Sequence, residues 1–531
     1  MARSNKQKSA PSTSLMPYAQ ALVEHRYAAV VVAALYFVVM IWIALKYHIV
    51  GDYGVETDFY WSYVPQARHI IEGKLPIEDF HGPLYPLVLA AVSLVTSDLF
   101  HAGVVLSVLS AAVVLWAVYE TVRRLVRPDV AAMAVLFVAV NPTFVQYSYT
   151  AGTDMFFFAL VMTATWVFLK DGDRRWSAVV VSAVVFGLAY LTRYNGIFAL
   201  AGVPAAVLLA DPHGHPWNER AKTAVIFAGV FLLTIAPWGV YALVEKGSFF
   251  YNRNYLNIAY EMFGRGKVGW DAYWYGAASQ YRSLMQVILA DPGAFVATVG
   301  WNIPDHLAGD LGKLVGWPTG VLAVLGTALL FRERPDRRLL TLLLIGASFF
   351  ALLLLVFHGE RFSLFLLPLY VVLALRTLTW PAITAWRLWG TVQIGGVAAI
   401  ALVLWQFAES KAHNSEQIDS GPVEVVQVGR WFEANQPPPK PGTIVVARKP
   451  HIAYYLGMTL EMFPPVRTQE ELFEALRRVN ASYLYYSPME AGLRPQFQYL
   501  LDPAKAPSGL RPLVSTAVPP AVLYRVELNQ P

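Results

Sequence analysis

The stretch 51–86, GDYGVETDFYWSYVPQARHIIEGKLPIEDFHGPLYP, carries Asp52, Glu56, Asp58, Glu72, Glu78 and Asp79 between two strongly apolar segments. Carboxylates beside a membrane are costly unless they face water or a polar cleft, so this is the first place to expect proton-transfer chemistry. Asp58 is the leading candidate for a catalytic base, because Phe59, Tyr60 and Trp61 follow it and could bury one side and raise its basicity. The plainer role is a helix cap, for which Thr57 and Asp58 are both suited.

Four further groups have the right chemistry. Glu78, Asp79 and His81 run into Gly82-Pro83-Leu84-Tyr85-Pro86 and are of types that hold a divalent ion or a sugar hydroxyl, or that form a solvated turn before a Pro-initiated helix. Asp154 follows Tyr147-Ser148-Tyr149-Thr150-Ala151-Gly152-Thr153 and opens an apolar run, as a first-turn carboxylate or as a second acid in a cleft shared with Asp58. Arg193 and Arg361 are each the single base of a short loop; the first is followed by Tyr194-Asn195-Gly196, the second flanked by His358, Glu360 and Phe362. An isolated arginine there needs an anionic partner, either a phosphate, with His358 as a further donor and Glu360 facing the substrate or an ion, or a carboxylate such as Asp154. Asp171-Gly172-Asp173 has the form of a metal-binding sugar-nucleotide motif, but its place in a tight turn at the opposite membrane face makes it a decoy. The stretch 447–455, Ala-Arg-Lys-Pro-His-Ile-Ala-Tyr-Tyr, follows a strand and is a surface loop or a ligand contact.

The elements that must position these residues are membrane helices. Of 531 residues, 56% are hydrophobic and 15% charged, which marks an α-helical polytopic membrane protein. The net charge of +5 comes from short basic clusters between apolar runs, a topology signal rather than a nucleic-acid surface. There is no cysteine, which excludes disulfides, thiolate metal sites and a cysteine nucleophile. Runs long enough for spans of roughly 15 to 22 residues occur near 28–46, 101–121, 129–147, 154–170, 177–191, 196–210, 222–244, 314–331, 339–357, 362–376 and 389–407, about eleven in all. The basic clusters fit a cytoplasmic tail 1–27, an uncleaved first anchor and a membrane domain 28–408 whose outer face carries a loop 47–100 and a long aromatic segment 245–313. Residues 409–531 read as an extracytoplasmic soluble α/β domain, with a helix near 422–435, strands near 443–447, 482–487 and 521–526, and a capping box at Thr468 and Glu471.

Taken in order, Thr57-Asp58-Phe59-Tyr60, Asp79 to Pro86, Gly152-Thr153-Asp154-Met155, Gly187 to Gly196, and Glu360-Arg361-Phe362 leading to Leu366-Leu367-Pro368 resemble the GT-C membrane glycosyltransferases, near the protein O-mannosyltransferase and aminoarabinose transferase branch. Two positions depart from that pattern: Phe59 stands where a Glu usually follows the Asp, and Gly82 where a Lys can precede the Pro-Leu run. The resemblance implies an inverting transferase that takes a sugar from a polyprenyl or dolichyl phosphate, with Asp58 as base and Arg361 at the leaving phosphate. No cofactor is compulsory, although a divalent metal is compatible with the acidic residues. The expected partners are the lipid-linked sugar, membrane lipid and an acceptor on protein, lipid or polysaccharide, at an integral plasma membrane. A secondary transporter or lipid-sugar flippase is the competing reading, but transporters usually place charges mid-bilayer on interrupted helices.

Overall fold

The computed structural model describes residues 27–96, 98–170, 175–276, 280–333, 336–390 and 392–528. The eleven apolar runs all coincide with helical segments. Among the described residues four helices are long and apolar enough to cross a membrane, and two bent pairs, Pro128–Ala139 with Pro142–Tyr149 and Leu284–Ala290 with Pro292–Leu314, raise this to six if each pair is one span. The remaining apolar helices, such as Thr153–Leu169, Trp317–Arg332 and Leu364–Leu378, are shorter than about 20 residues.

Helix Leu99–Leu125 is the central post. Its apolar window is 78% buried, whereas that of the first helix, Ala28–Tyr47, is 17% buried, so the first lies outside and the second inside the bundle. Leu99–Leu125 packs on Ala28–Tyr47, Pro128–Ala139 and Thr153–Leu169, with Val104, Val108, Ala111, Leu115 and Val118 in the core. It is apolar all round, as an interior helix must be. Arg123 and Arg124 pair with Glu120 at its far end, about 35 Å by helical rise from Phe100, whose backbone N–H meets the C-terminal domain.

The long aromatic segment 245–313 is largely helical among its described residues. Pro292 opens the helix Pro292–Gly309 while the Asp291 side chain caps Ala294 N–H, and this resets the chain by 100° from Leu284–Ala290.

The C-terminal domain is a five-stranded sheet in the order Thr459–Met462, Ile444–Ala447, Tyr483–Tyr486, Pro520–Val526, Leu510–Ala517. The first three strands are parallel and the last two join antiparallel. Strands 459–462 and 510–517 were not evident in the sequence; the second has a bulge between Pro512 and Val514 that breaks its alternation. Helix Val423–Asn435 and both bonds of the Thr468–Glu471 capping box match expectation. Helix Ile394–Asp419 runs on past the apolar stretch and delivers the chain to this domain.

Candidate active site

Three helix ends meet where the C-terminal domain sits on the bundle. Thr153–Leu169 begins there with Asp154 in its first turn, Arg175–Thr192 ends there and hands Arg193 on, and the turn carrying Arg361 precedes Leu364–Leu366. The first loop closes the site through the π-helix Phe59–Tyr63, whose preceding residue is Asp58. A π-turn widens the helix locally and is common at functional sites.

A cavity lies between these elements and is lined by Asp58, Tyr63, Tyr147, Asp154, Arg193 and Arg361, among others. The Asp58 side chain makes no capping hydrogen bond, so the cap role read from the sequence is not what it does. It is 48% exposed, and its Oδ2 stands 3.9 Å from Arg361 Nη2, an ion contact too long for a hydrogen bond. Of the three aromatic neighbours expected to shield it, Phe59 and Tyr60 are buried and Trp61 is exposed. Asp154 is held more tightly: Arg193 Nη1 donates to its Oδ1 at 2.6 Å and to Thr153 Oγ1 at 3.0 Å. Tyr63 and Thr153 join by their hydroxyls at 3.2 Å.

Both guanidiniums lie over the ring of Phe362, Arg361 at 4.8 Å and Arg193 at 5.9 Å from its centroid, and its π-electrons favour both charges. Burial disfavours the charge on Arg361, but Asp154 and Asp58 outweigh it and raise its proton affinity above the ordinary value. Two carboxylates thus face two cations. The looser pair, Asp58–Arg361, is the one an incoming anion can open.

The other candidates divide. Glu78 Oε2 accepts from Phe80 N–H and His81 N–H, both at 2.7 Å, and lies 3.1 Å from His81 Nδ1. Asp79 accepts from Tyr251 Oη at 2.7 Å and Arg253 Nη1 at 3.1 Å. These three residues form a turn that ties the first loop to segment 251–254, and none lines the cavity. Gly82 follows because a Cβ there would come within 2.0 Å of the Leu191 carbonyl oxygen; no lysine fits. His358 is also turned away. It reaches Asp310 Oδ1 at 3.0 Å, and Tyr370 Oη donates to Oδ2 at 2.9 Å, so its expected place at a phosphate is not where the structure puts it. The cause is Gly309, whose missing side chain admits the His358 ring. Glu360, half-buried in the same turn, does not line the cavity either.

Among the described residues no group of three or more His, Asp and Glu side chains could hold a metal ion. The Asp171–Asp173 motif lies outside the described residues.

Sequence reading missed Glu56. It is 1% exposed, and its Oε1 accepts from Ala151 N–H at 2.5 Å and lies 3.0 Å from His48 Nε2, while Oε2 accepts from Asp52 N–H at 2.8 Å. It fastens the first loop to the turn that precedes Asp154, yet nothing in GDYGVETD separates it from a solvated glutamate. The stretch 447–455 is neither a surface loop nor an open ligand cleft, because it packs on the first loop.

Residues 80–241, less than a third of the chain, match the family model described as dolichyl-phosphate-mannose-protein mannosyltransferase. Among solved structures, ArnT from Cupriavidus metallidurans bound to undecaprenyl phosphate superposes with a TM-score of 0.61 at 13% identity, over 96% of this chain and 100% of that one. The chain has the GT-C fold. Over residues 80–241 it is similar to the dolichyl-phosphate-mannose-protein mannosyltransferases, in line with the resemblance its motifs suggested. The archaeal oligosaccharyltransferase AglB from Archaeoglobus fulgidus, in complex with an inhibitory peptide and a dolichol-phosphate, aligns with a TM-score of 0.55 at 14% identity, over 94% of this chain and 75% of that one. No curated protein matches the chain by sequence. Seen as a GT-C protein, it places its charged cavity beneath a C-terminal sheet that touches the first loop directly.

Proposed function

We propose that this protein is an inverting glycosyltransferase that moves a sugar from a polyprenyl or dolichyl phosphate to an acceptor hydroxyl, at the membrane face bearing the C-terminal domain. The observation that carries this reading is Asp58 facing Arg361 across one cavity, a proton acceptor opposite a phosphate-binding cation. Asp58 takes the proton of the acceptor hydroxyl while its oxygen attacks the anomeric carbon. The bond from that carbon to the phosphate oxygen breaks on the opposite side, and the lipid phosphate leaves with the electron pair, its charge met by Arg361 with Arg193 behind it. One displacement inverts the anomeric centre. A donor phosphate competes with Asp58 for Arg361, so donor binding releases the carboxylate to meet the acceptor hydroxyl.

A second cavity supports a lipid donor. It is lined by Met162, Leu342, Phe365, Leu366, Leu369 and Val372 among others. Met155 lines the charged cavity and Met162 this one, two turns apart on one helix, or about 10 Å by rise. A charged chamber set above an apolar one suits a phosphate head on an isoprenoid tail. The positive-inside pattern supports a cytoplasmic N-terminus.

The test is purified protein in nanodiscs, incubated with a panel of undecaprenyl- and dolichyl-phosphate sugars and assayed for bound and hydrolysed donor. Retention of at least one donor, with turnover lost in Asp58→Asn, is expected. Turnover of none, together with solute uptake in liposomes, would replace the enzyme by a transporter.

A further inference from the structure

The parallel strands Ile444–Ala447 and Tyr483–Tyr486 run out at one end of the sheet into Arg448–His451 and Ser487–Glu490. In parallel α/β sheets the crevice beyond the carboxyl ends of the strands is where ligands lie. Here the crevice holds a segment of the same chain, the turn 52–57. Tyr53 Oη donates to Glu424 Oε1 at 3.2 Å, and the Tyr53 ring stands edge-on to His451 at 4.8 Å. His451 Nε2 donates to the Asp52 carbonyl at 3.2 Å. Lys449 Nζ donates to the Tyr53 carbonyl at 2.6 Å and to Thr57 Oγ1 at 2.9 Å. Glu490, buried beneath, accepts from Arg448 N–H at 2.6 Å and from Ser487 N–H at 3.0 Å, which fixes the crevice floor.

Asp58 is the next residue. Its own carboxylate has only the loose contact with Arg361, so its place depends on the backbone of Thr57. The turn is tied to the bundle by the Glu56 side chain, which accepts from Ala151 N–H, and to the domain by Lys449, which donates to the Tyr53 carbonyl and the Thr57 hydroxyl. A lysine is well suited to this grip. Burial lowers its proton affinity, but Asp58 and Asp52 favour its charge, and its long stem spans the gap between domains.

From this geometry we infer that the C-terminal domain is the positioning element for Asp58, with Lys449 as its principal hold on the Tyr53–Thr57 turn. The inference rests on Asp58 being the base, and it assigns a role to a domain that forms none of the cavity lining. Lys449 is a positioning residue, since it touches Thr57 rather than the reacting atoms.

The experiment uses the full chain in nanodiscs as wild type, Lys449→Met and Lys449→Arg. Hydrogen exchange at the amides of 54–59 is expected to speed up at least tenfold in Lys449→Met and to return most of the way in Lys449→Arg. Undecaprenyl phosphate binding, which uses the arginine side of the cavity, should stay within about twofold. With undecaprenyl phosphate mannose as probe, kcat should fall at least tenfold at unchanged donor KM. Unchanged exchange at 54–59 in Lys449→Met, or loss of undecaprenyl phosphate binding in step with activity, would overturn the inference. If wild type binds neither undecaprenyl phosphate nor dolichyl phosphate, the transferase reading fails, yet the exchange comparison still decides whether Lys449 holds the turn. Should Lys449→Met not fold, Tyr53→Phe removes one hydroxyl from the same seat and carries the same comparison with a smaller change.

Discussion

His358 and Arg361 stand three residues apart in one turn, both able to bind an anion, yet they do different work. The imidazole is packed against Gly309 and paired with Asp310, which has no exposed surface. The guanidinium opens into the charged cavity and meets its carboxylate only at 3.9 Å. A buried, fully bonded pair stabilises the fold and resists exchange with a ligand, whereas a loose, partly exposed pair yields to one. The difference teaches that a functional cation is recognised by the incompleteness of its contacts.

The sharpest way to break this comparison is at the carboxylate opposite Arg361. Asp58→Asn should lower transfer about a thousandfold while thermal melting stays near wild type, because its side chain caps nothing. Arg361→Met should lower kcat/KM by about a hundredfold, again with little change in melting. His358→Ala should do the reverse: it leaves Asp310 buried with only Tyr370 as partner and costs about 3 kcal/mol of stability, read from denaturation, with donor affinity kept in the molecules that fold. A stable His358→Ala protein that no longer binds donor would dissolve the distinction. For the tight pair, a cycle of Asp154→Asn and Arg193→Met should give a coupling of about 1–2 kcal/mol in stability, larger than the same cycle at Asp58 and Arg361.

A further prediction concerns pH. Burial pushes His451 down to about 3 from the ordinary 6.5, so the docked domain holds it neutral. The undocked domain takes a proton below 6.5, and docking stability is therefore complete above that pH and lost as pH falls toward 3, by at most about 1.4 kcal/mol per unit. Burial pushes Glu424 and Glu490 up, and these oppose the trend, so the quantity to measure is the difference between wild type and His451→Gln in protease susceptibility from pH 7 to 4. A difference that does not change with pH would remove His451 from the docking surface.

Much of the architecture was legible in the sequence because it depends on local pattern. Apolar runs of spanning length had to become helices, and Thr468 with Glu471 had to cap one. The single arginines at 193 and 361 and the aspartates at 58 and 154 stood out against a charge-poor background, and they do converge. Glu78, Asp79 and His81 stood out equally, yet they close a turn against Arg253 and Tyr251, a partnership across more than 170 residues that no spacing announces.

The sequence by itself determined which segments are apolar, where the chain turns, and that acids and single bases gather at the loop ends, since these follow from residue type and periodicity. Tertiary structure alone decided which cation is free, which is sealed by the gap at Gly309, and that Lys449 reaches Thr57. Those outcomes turn on distances of a few ångströms between distant segments, and a few ångströms separate a bonded charge from one a ligand can claim.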